Sequence, residues 1–376
     1  DVLRRWLEYR GYDVQHVQNF TDVDDKIIAR AQVDGITPEE AAQRYIRSYF
    51  EVMDQLNVER AHEYPTVTGS MDAIISYVED LIEKGYAYAA EGDVYFDVAR
   101  FPHYGQLSGR TTDEGQMVGV RKDLEPGKRD PRDFALWKGA KPGEPAWASP
   151  WGDGRPGWHI ECSAMAERYL GADFSIHGGG SDLVFPHHEN EIAQSEAARG
   201  LPLARIWMHN GMVRIAEEKM SKSVGNIFQL SEALDRYGAP ALVAYLVSGH
   251  YRQPLEFSDT ALAEAQARVE RIRNFLRSAP PEDSGEPDQL VAESRETFLA
   301  ALCDDFNTPR ALAALFALIA EGNRRPVAGA RSAVAELLPL LGLEALLEAE
   351  DGPGERARQL MAEREAARAA RDFERA

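Results

Sequence analysis

The sequence predicts an α/β body that is interrupted by an inserted subdomain and followed by an all-helical bundle. Three observations carry this expectation. Helical and strand-like patterns alternate through residues 1–85 and again through 157–212, in the order of βαβ units. Between them, residues 86–156 change texture to loop-rich sequence dense in Gly, Pro and charge. Beyond the acidic segment Ala279-Pro-Pro-Glu-Asp-Ser-Gly-Glu-Pro287, a linker by composition, only helical patterns remain through 288–376.

Asp1 to Tyr9 reads as a helix already under way, with Leu3, Trp6 and Leu7 on its apolar side. The chain is therefore expected to be a fragment whose first strand, first loop and tail lie outside it. A short β-rich run, Val14 to Asn19, precedes a helix over about 22–32. Thr37-Pro-Glu-Glu40 supplies a cap, a proline at the first helical position and acids in the first turn of a helix running to about Leu56. A further helix over 70–84 stops at Gly85. In the inserted stretch only Asp93 to Val98 reads as a strand. The body resumes with a helix over 159–169, a strand over 173–177, a glycine-rich turn, a helix over 186–199 and a strand over 206–210. Residues 213–278 carry a lysine-bearing loop and three helices. The bundle that follows shows one apolar face at Leu312, Leu315, Phe316 and Ile319.

The 376 residues carry a net charge of −20, which excludes indiscriminate binding to nucleic acid but leaves room for local basic patches. Arg324 with Arg325, and Arg364, Arg368 and Arg371 at helical spacing, are candidates for such a patch. No run approaches the roughly 18 apolar residues of a membrane helix, and no secretory signal opens the sequence, so a cytoplasmic protein is expected. Cys162 and Cys303 are too few for a disulfide framework. A metal ligand or a buried thiol is expected of each, with Cys303 assigned to core packing.

Lys219-Met-Ser-Lys-Ser223, followed by Val-Gly-Asn226, has the chemistry of a loop that closes on a triphosphate. Phosphoryl and adenylyl transfers need positioning and charge stabilisation more than covalent help, and two lysines with two hydroxyls provide both. The alternative on these residues alone is an exposed turn with solvated lysines. The motif resembles the KMSKS signature of class I aminoacyl-tRNA synthetases. That resemblance implies a Rossmann-like nucleotide-binding core, with Lys222 holding ATP phosphates and the transition state and Lys219 assisting.

A second constellation lies in Gly157-Trp-His-Ile-Glu-Cys-Ser-Ala-Met165 and in the run from His177 to Glu191. His187 and Glu191 are four apart at a helix start and share a face, while Cys162 lies at the start of the preceding helix. Thiolate, imidazole and carboxylate together suit zinc, although the spacing is also met by a buried thiol beside a polar helix start. These blocks, together with Asn19-Phe-Thr-Asp-Val-Asp-Asp-Lys26 and Asp304-Asp-Phe-Asn-Thr-Pro309, resemble the diagnostic blocks of the cysteinyl-tRNA synthetase family over essentially the whole chain.

The resemblance implies that Cys162, His187 and Glu191 are zinc ligands. A fourth cysteine ligand and a His-x-Gly-His motif are expected upstream of residue 1. It also implies that Thr21, Trp158, Asp182 and His177 line the amino-acid pocket, with Asp182 facing the substrate ammonium, and that His209 and Gly211 border the adenine of ATP. Support of the fold is the alternative role for each of these, and His188 is given a supporting role beside the site. Zinc has a reason to be there, because serine and cysteine differ by one atom and ordinary pockets separate such pairs only modestly. A soft thiolate binds zinc far better than a hydroxyl does. The implied substrates and partners are cysteine, ATP with Mg2+, and tRNA(Cys), acting on a monomer. Two rival readings are a cysteine ligase of mycothiol biosynthesis and a non-catalytic RNA-binding paralogue.

Overall fold

The structure, a computed structural model, describes residues 1–110, 126–215, 230–279 and 286–348. It divides into two compact units, one of residues 3–236 with 249–261, the other of residues 237–248 with those from Leu262 on. Among the described residues no helix is long and apolar enough to cross a membrane.

The first unit opens with α1 (Val2–Tyr9). The β-rich run expected at 14–19 forms no continuous ladder. It makes two parallel bridges, Val17 to Glu63 and Phe20 to Thr66. The Phe20 N–H donates to the Pro65 carbonyl at 2.9 Å, but Pro65 has no N–H to return, which limits the pairing. Helix α2 (Asp25–Asp34) starts where the Asp24 carboxylate accepts from the Lys26 N–H at 2.7 Å. Helix α3 (Pro38–Gln55) has a reciprocal cap. Thr37 Oγ1 accepts from the Glu40 N–H at 3.1 Å, and the Glu40 carboxylate accepts from the Thr37 N–H at 2.8 Å. Helix α4 (Met71–Glu83) ends ahead of Gly85, whose φ of +75° turns the chain out of the helix.

The inserted stretch contains more β structure than its loops suggest. Strands β1 (Ala87–Ala90), β2 (Asp93–Phe96), β3 (Phe134–Gly139) and β4 (Gly154–Pro156) form one antiparallel sheet in sequence order. They are short and separated by charged loops, which hides their alternation in the sequence. The sheet has no separate interior, because Phe96, Leu136 and Trp137 pack into one core with Ile74 and Leu81 of α4 and Ile160 of the next helix. Arg155 on β4 ties this sheet to α2. Its buried guanidinium bonds the Glu144 carboxylate at 3.2 Å and pairs with Asp25, which Lys138 also reaches at 3.2 Å. Arg155→Ala strands Glu144 without its counter-charge and is expected to cost about 2–3 kcal/mol, discounted for the exposure of Asp25 and read as a lower denaturation midpoint at unchanged m-value.

The unit continues with α5 (Trp158–Leu170), β5 (Phe174–Gly180), α6 (Glu189–Arg199) and β6 (Ala204–Asn210). Strands β5 and β6 pair in parallel, from Phe174 opposite Ala204 to Gly180 opposite Asn210, with α6 as the crossover. A second parallel pair, β7 (Val213–Ile215) with β8 (Leu255–Phe257), has no counterpart in the sequence pattern and forms a sheet of its own. Between these two strands in sequence come α7 (Leu230–Tyr237) and α8 (Ala239–Leu246).

The second unit is helical. By sequence the bundle is expected to start after the linker, near Leu290. Helix α9 (Asp259–Ser278), ahead of that linker, instead packs with the helices beyond it. The reason is its apolar face: Leu262, Ala265, Val269, Ile272 and Phe275 are buried, and the Phe275 ring lies against Gly322, where a Cβ would approach it to 2.6 Å. Helices α10 (Gln289–Cys303), α11 (Thr308–Arg324) and α12 (Ala330–Leu337) complete the described part. On α11, Leu312, Leu315 and Ile319 are buried as expected. Phe316 is half-buried, with the Arg271 guanidinium 5.4 Å from its ring centroid. The 304–309 block is a turn, with positive φ at Asp305 and Phe306 and the Asn307 side chain capping α11 through the Arg310 N–H at 3.1 Å.

Cys303 is exposed rather than a core residue, because α10 turns Val291, Phe298 and Ala301 inward and position 303 falls off that face. Arg324 and Arg325 are both exposed and carry surface ion pairs. Arg325 bridges Asp288 at 2.8 Å and Glu321 at 2.9 Å, and Arg324 reaches Glu321 at 3.5 Å. Arg364, Arg368 and Arg371 lie outside the described residues.

Candidate active site

Four element ends converge at one place. The first turn of α5 contributes Trp158, His159 and Cys162. The π-turn Val184–His188 leading into α6 contributes His187 and His188, and the first turn of α6 contributes Glu191. The ends of β5 and β6 bring His177 and His209. Gly179 on β5 permits the approach, since a Cβ there would come within 2.8 Å of the His188 ring.

Cys162, His187 and Glu191 each offer one ligand atom, and these atoms all lie within 4.8 Å of one another. His177, His188 and Glu191 form a second group of the same kind, sharing the carboxylate. Glu191 Oε2 lies 3.2 Å from His177 Nε2, 3.7 Å from His187 Nε2 and 3.8 Å from His188 Nε2. Behind these rings stands a further layer. His187 Nδ1 is 2.8 Å from His159 Nδ1, and His188 Nδ1 is 2.8 Å from His209 Nε2. Asn19 Nδ2 donates to Cys162 Sγ at 3.7 Å. The Trp158 ring, half in solvent, covers His187 at 4.3 Å between centroids.

Burial dominates the electrostatics. It pushes the Cys162 thiol well up, and the nearby Glu191 charge adds to that. It pushes His159 and His188 each down to about 3, so both rings are neutral at physiological pH. Burial alone would raise Glu191, but His177 first, then His187 and His188, outweigh it and hold the carboxyl below its usual range. His177 is raised in return, since the Glu191 charge and hydrogen bond overcome the burial of its ring. The Nδ1–Nδ1 contact requires one ring to donate and the other to accept; when His187 is the donor, its Nε2 presents a lone pair toward Glu191.

The donor set fits a zinc ion. His187 Nε2 and Glu191 Oε2, two atoms able to ligate a metal, lie 3.7 Å apart, near the roughly 3.4 Å between ligands of a tetrahedral zinc shell. Glu191 Oε1 is buried with no hydrogen-bond partner among the described residues. A thiol raised by burial and by an adjacent carboxylate ionises readily only beside a cation.

The structure brings Cys162, His187, Glu191, His177, Trp158 and, through His188, His209 together. Asp182 sits in the exposed turn Ser181–Leu183, its carboxylate over Gly180 and without a partner among the described residues. Thr21 is half-buried, with no hydrogen bond to the cluster among the described residues; Asn19, two residues earlier, is what reaches the thiol. Gly211 is required by packing, because a Cβ would meet the Gln253 carbonyl at 2.3 Å and its N–H donates to Tyr251 at 2.7 Å. Lys219 and Lys222 lie outside the described residues. The sequence reading passed over His159 and Asn19. His159 had a signal: it stands three residues before Cys162 and so on the same helix face.

The family of class I (C) tRNA synthetase catalytic domains matches residues 1–267, and the DALR domain matches residues 297–343. The cysteine–tRNA ligase of Carboxydothermus hydrogenoformans is 52% identical over 335 residues, 88% of this chain and 72% of that protein. The cysteine–tRNA ligase of Geobacter metallireducens is 47% identical, covering 100% of this chain and 85% of that protein. The chain belongs to the cysteine–tRNA ligase family. Among solved structures, the Mycobacterium tuberculosis methionyl-tRNA synthetase bound by methionyl-adenylate superposes with a TM-score of 0.66 at 15% identity, over 95% of this chain and 91% of that one. At that identity the likeness concerns the fold alone: a class I catalytic domain, here followed by an all-helical DALR domain. As a cysteine–tRNA ligase the chain is an enzyme. Neither the mycothiol-pathway ligase nor the non-catalytic paralogue is favoured.

Proposed function

We propose that this cysteine–tRNA ligase selects cysteine through a zinc ion held by Cys162, His187 and Glu191, activates it with ATP and Mg2+, and loads it onto tRNA(Cys). The observation that carries the metal reading is the convergence of thiol, imidazole and carboxylate, with one Glu191 oxygen left without a hydrogen-bond partner among the described residues. Bound there, zinc supplies Lewis acidity that stabilises the substrate side chain as a thiolate, which a hydroxyl cannot match. His159 fixes the His187 tautomer, and Trp158 shields that ring from solvent. Asp182, with its open carboxylate, takes the substrate ammonium, while His177 and Thr21 line the pocket. His209 and Gly211 border the adenine, and Lys222, assisted by Lys219, neutralises the phosphates as a substrate carboxylate oxygen attacks the α-phosphorus and pyrophosphate leaves. A tRNA hydroxyl then attacks the adenylate carbonyl and AMP departs. The proposed working unit is a cytoplasmic monomer.

Cobalt substitution tests the ligand set. The cobalt-loaded enzyme is expected to show a thiolate-to-cobalt charge-transfer band that Cys162→Ser abolishes, and pyrophosphate exchange driven by cysteine and not by serine. A cobalt spectrum indifferent to that substitution overturns the assignment.

A further inference from the structure

Glu189, the first residue of α6, is fully buried between two residues of the site, His187 and Glu191. Its carboxylate is held by the backbone of a loop in the inserted stretch. Oε1 accepts from the N–H of Gly105 at 2.9 Å and of Leu107 at 3.4 Å, and Oε2 accepts from the N–H of Ser108 at 2.8 Å. Both oxygens act as acceptors, the arrangement of an ionised carboxylate in a nest of peptide donors at a helix N-terminus. The same loop grips α6 twice more. The Tyr104 hydroxyl donates to Asn190 Oδ1 at 2.5 Å, and Gln106 Nε2 donates to Glu196 Oε1 at 3.1 Å. The loop has little room to relax: Gly105 has a φ of +99°, and a Cβ there would come within 1.8 Å of the Arg110 carbonyl oxygen. From the other side Phe134, on β3, sets its ring edge against His159 at 5.8 Å between centroids.

We infer that Glu189 is a positioning residue through which the loop at 104–108 sets the geometry of His187 and Glu191, making thiol selection depend on the docking of the inserted sheet. The inference rests on the metal reading above. Glu191 shares the first turn of α6 with Glu189, and His187 lies in the π-turn that runs directly into it, so a shift at Glu189 is passed to both groups. Outer-shell groups that hydrogen-bond a metal's ligands are typically worth about 10–100-fold in metal affinity. Glu189 bonds the loop and acts on the ligands through the helix turn, so the lower end of that range is expected of it.

Glu189→Gln keeps the shape but turns an amide N–H toward one of the loop's own N–H donors. Zinc affinity, measured by competition with a chromophoric chelator, is expected to fall about tenfold. The KM for cysteine should rise by a similar factor, with kcat for pyrophosphate exchange at saturating cysteine within about twofold of wild type. The thiolate-to-cobalt band should persist while the ligand-field bands shift. Tyr104→Phe, which removes one hydroxyl from the same grip, should move these readouts in the same direction by less. A Glu189→Gln enzyme that melts earlier yet binds zinc and cysteine like wild type overturns the inference. If that variant does not fold, Tyr104→Phe decides: weakened zinc binding supports the inference and wild-type binding overturns it. The two readings fail distinguishably. A cobalt band untouched by Cys162→Ser removes both, whereas a band lost there with Glu189→Gln unaltered removes only this one.

Discussion

Replacing Glu191 with Gln is expected to lower zinc affinity by roughly 10²–10³ and cysteine-dependent adenylate formation by a comparable factor. The magnitude follows from a zinc site's total binding free energy of about 10–16 kcal/mol shared among four ligands, or about 3–4 kcal/mol for one. Glutamine preserves the volume of this fully buried side chain, so the change is chemical rather than a cavity. It removes the only charge in the Cys162–His187–Glu191 group that is ionised without help, since burial holds the thiol up. It also takes away the charge that raises His177, whose ring is then expected to titrate lower. ATP binding should survive, because none of these side chains belongs to the lysine motif. Metal analysis and pyrophosphate exchange on the purified variant check the prediction. Stoichiometric zinc together with wild-type exchange would sink it.

The second large effect concerns the lysine loop. Lys222→Ala is expected to slow adenylate formation by roughly 10²–10³, about 3–4 kcal/mol of transition-state stabilisation, with cysteine binding nearly unchanged. The effect is electrostatic. Charge moves onto the leaving pyrophosphate as the α-phosphorus is attacked, and a lysine poised there is worth most in the transition state. Lys222→Arg retains the charge but replaces a compact ammonium with a planar fork, so only partial recovery is expected. Pyrophosphate exchange at the wild-type rate in Lys222→Ala would remove the lysine from the chemistry.

The dependence of the site on its surroundings differs between these two predictions. Lys222 is legible as a motif because its chemistry is contained in five adjacent residues. Glu191 draws its properties from three imidazoles on two elements, His177 from β5 and His187 and His188 from the turn before α6. No sequence window contains the relation that lowers one group and raises another.

Local chemistry made much of this protein readable in advance. The cap at Thr37, the stop at Gly85, the crossover helix α6 and the apolar face of α11 follow from propensity, capping and period, interactions that reach only a few residues along the chain. The resemblance of whole blocks then supplied the family and the candidate ligands. Tertiary structure decided what depends on segments distant in sequence. The run at 14–19 pairs only through two bridges because its partner carries Pro65. The loop-rich insertion became a four-stranded sheet sharing its core with α4 and α5. Helix α9 joined the helices beyond the linker because Phe275 meets Gly322. His159 and Asn19 entered the site, and Glu189 acquired a loop 81 residues away in sequence as its hydrogen-bond donor. Each of these outcomes turns on burial or pairing between surfaces that exist only once the chain has folded, and a one-dimensional pattern holds no record of them.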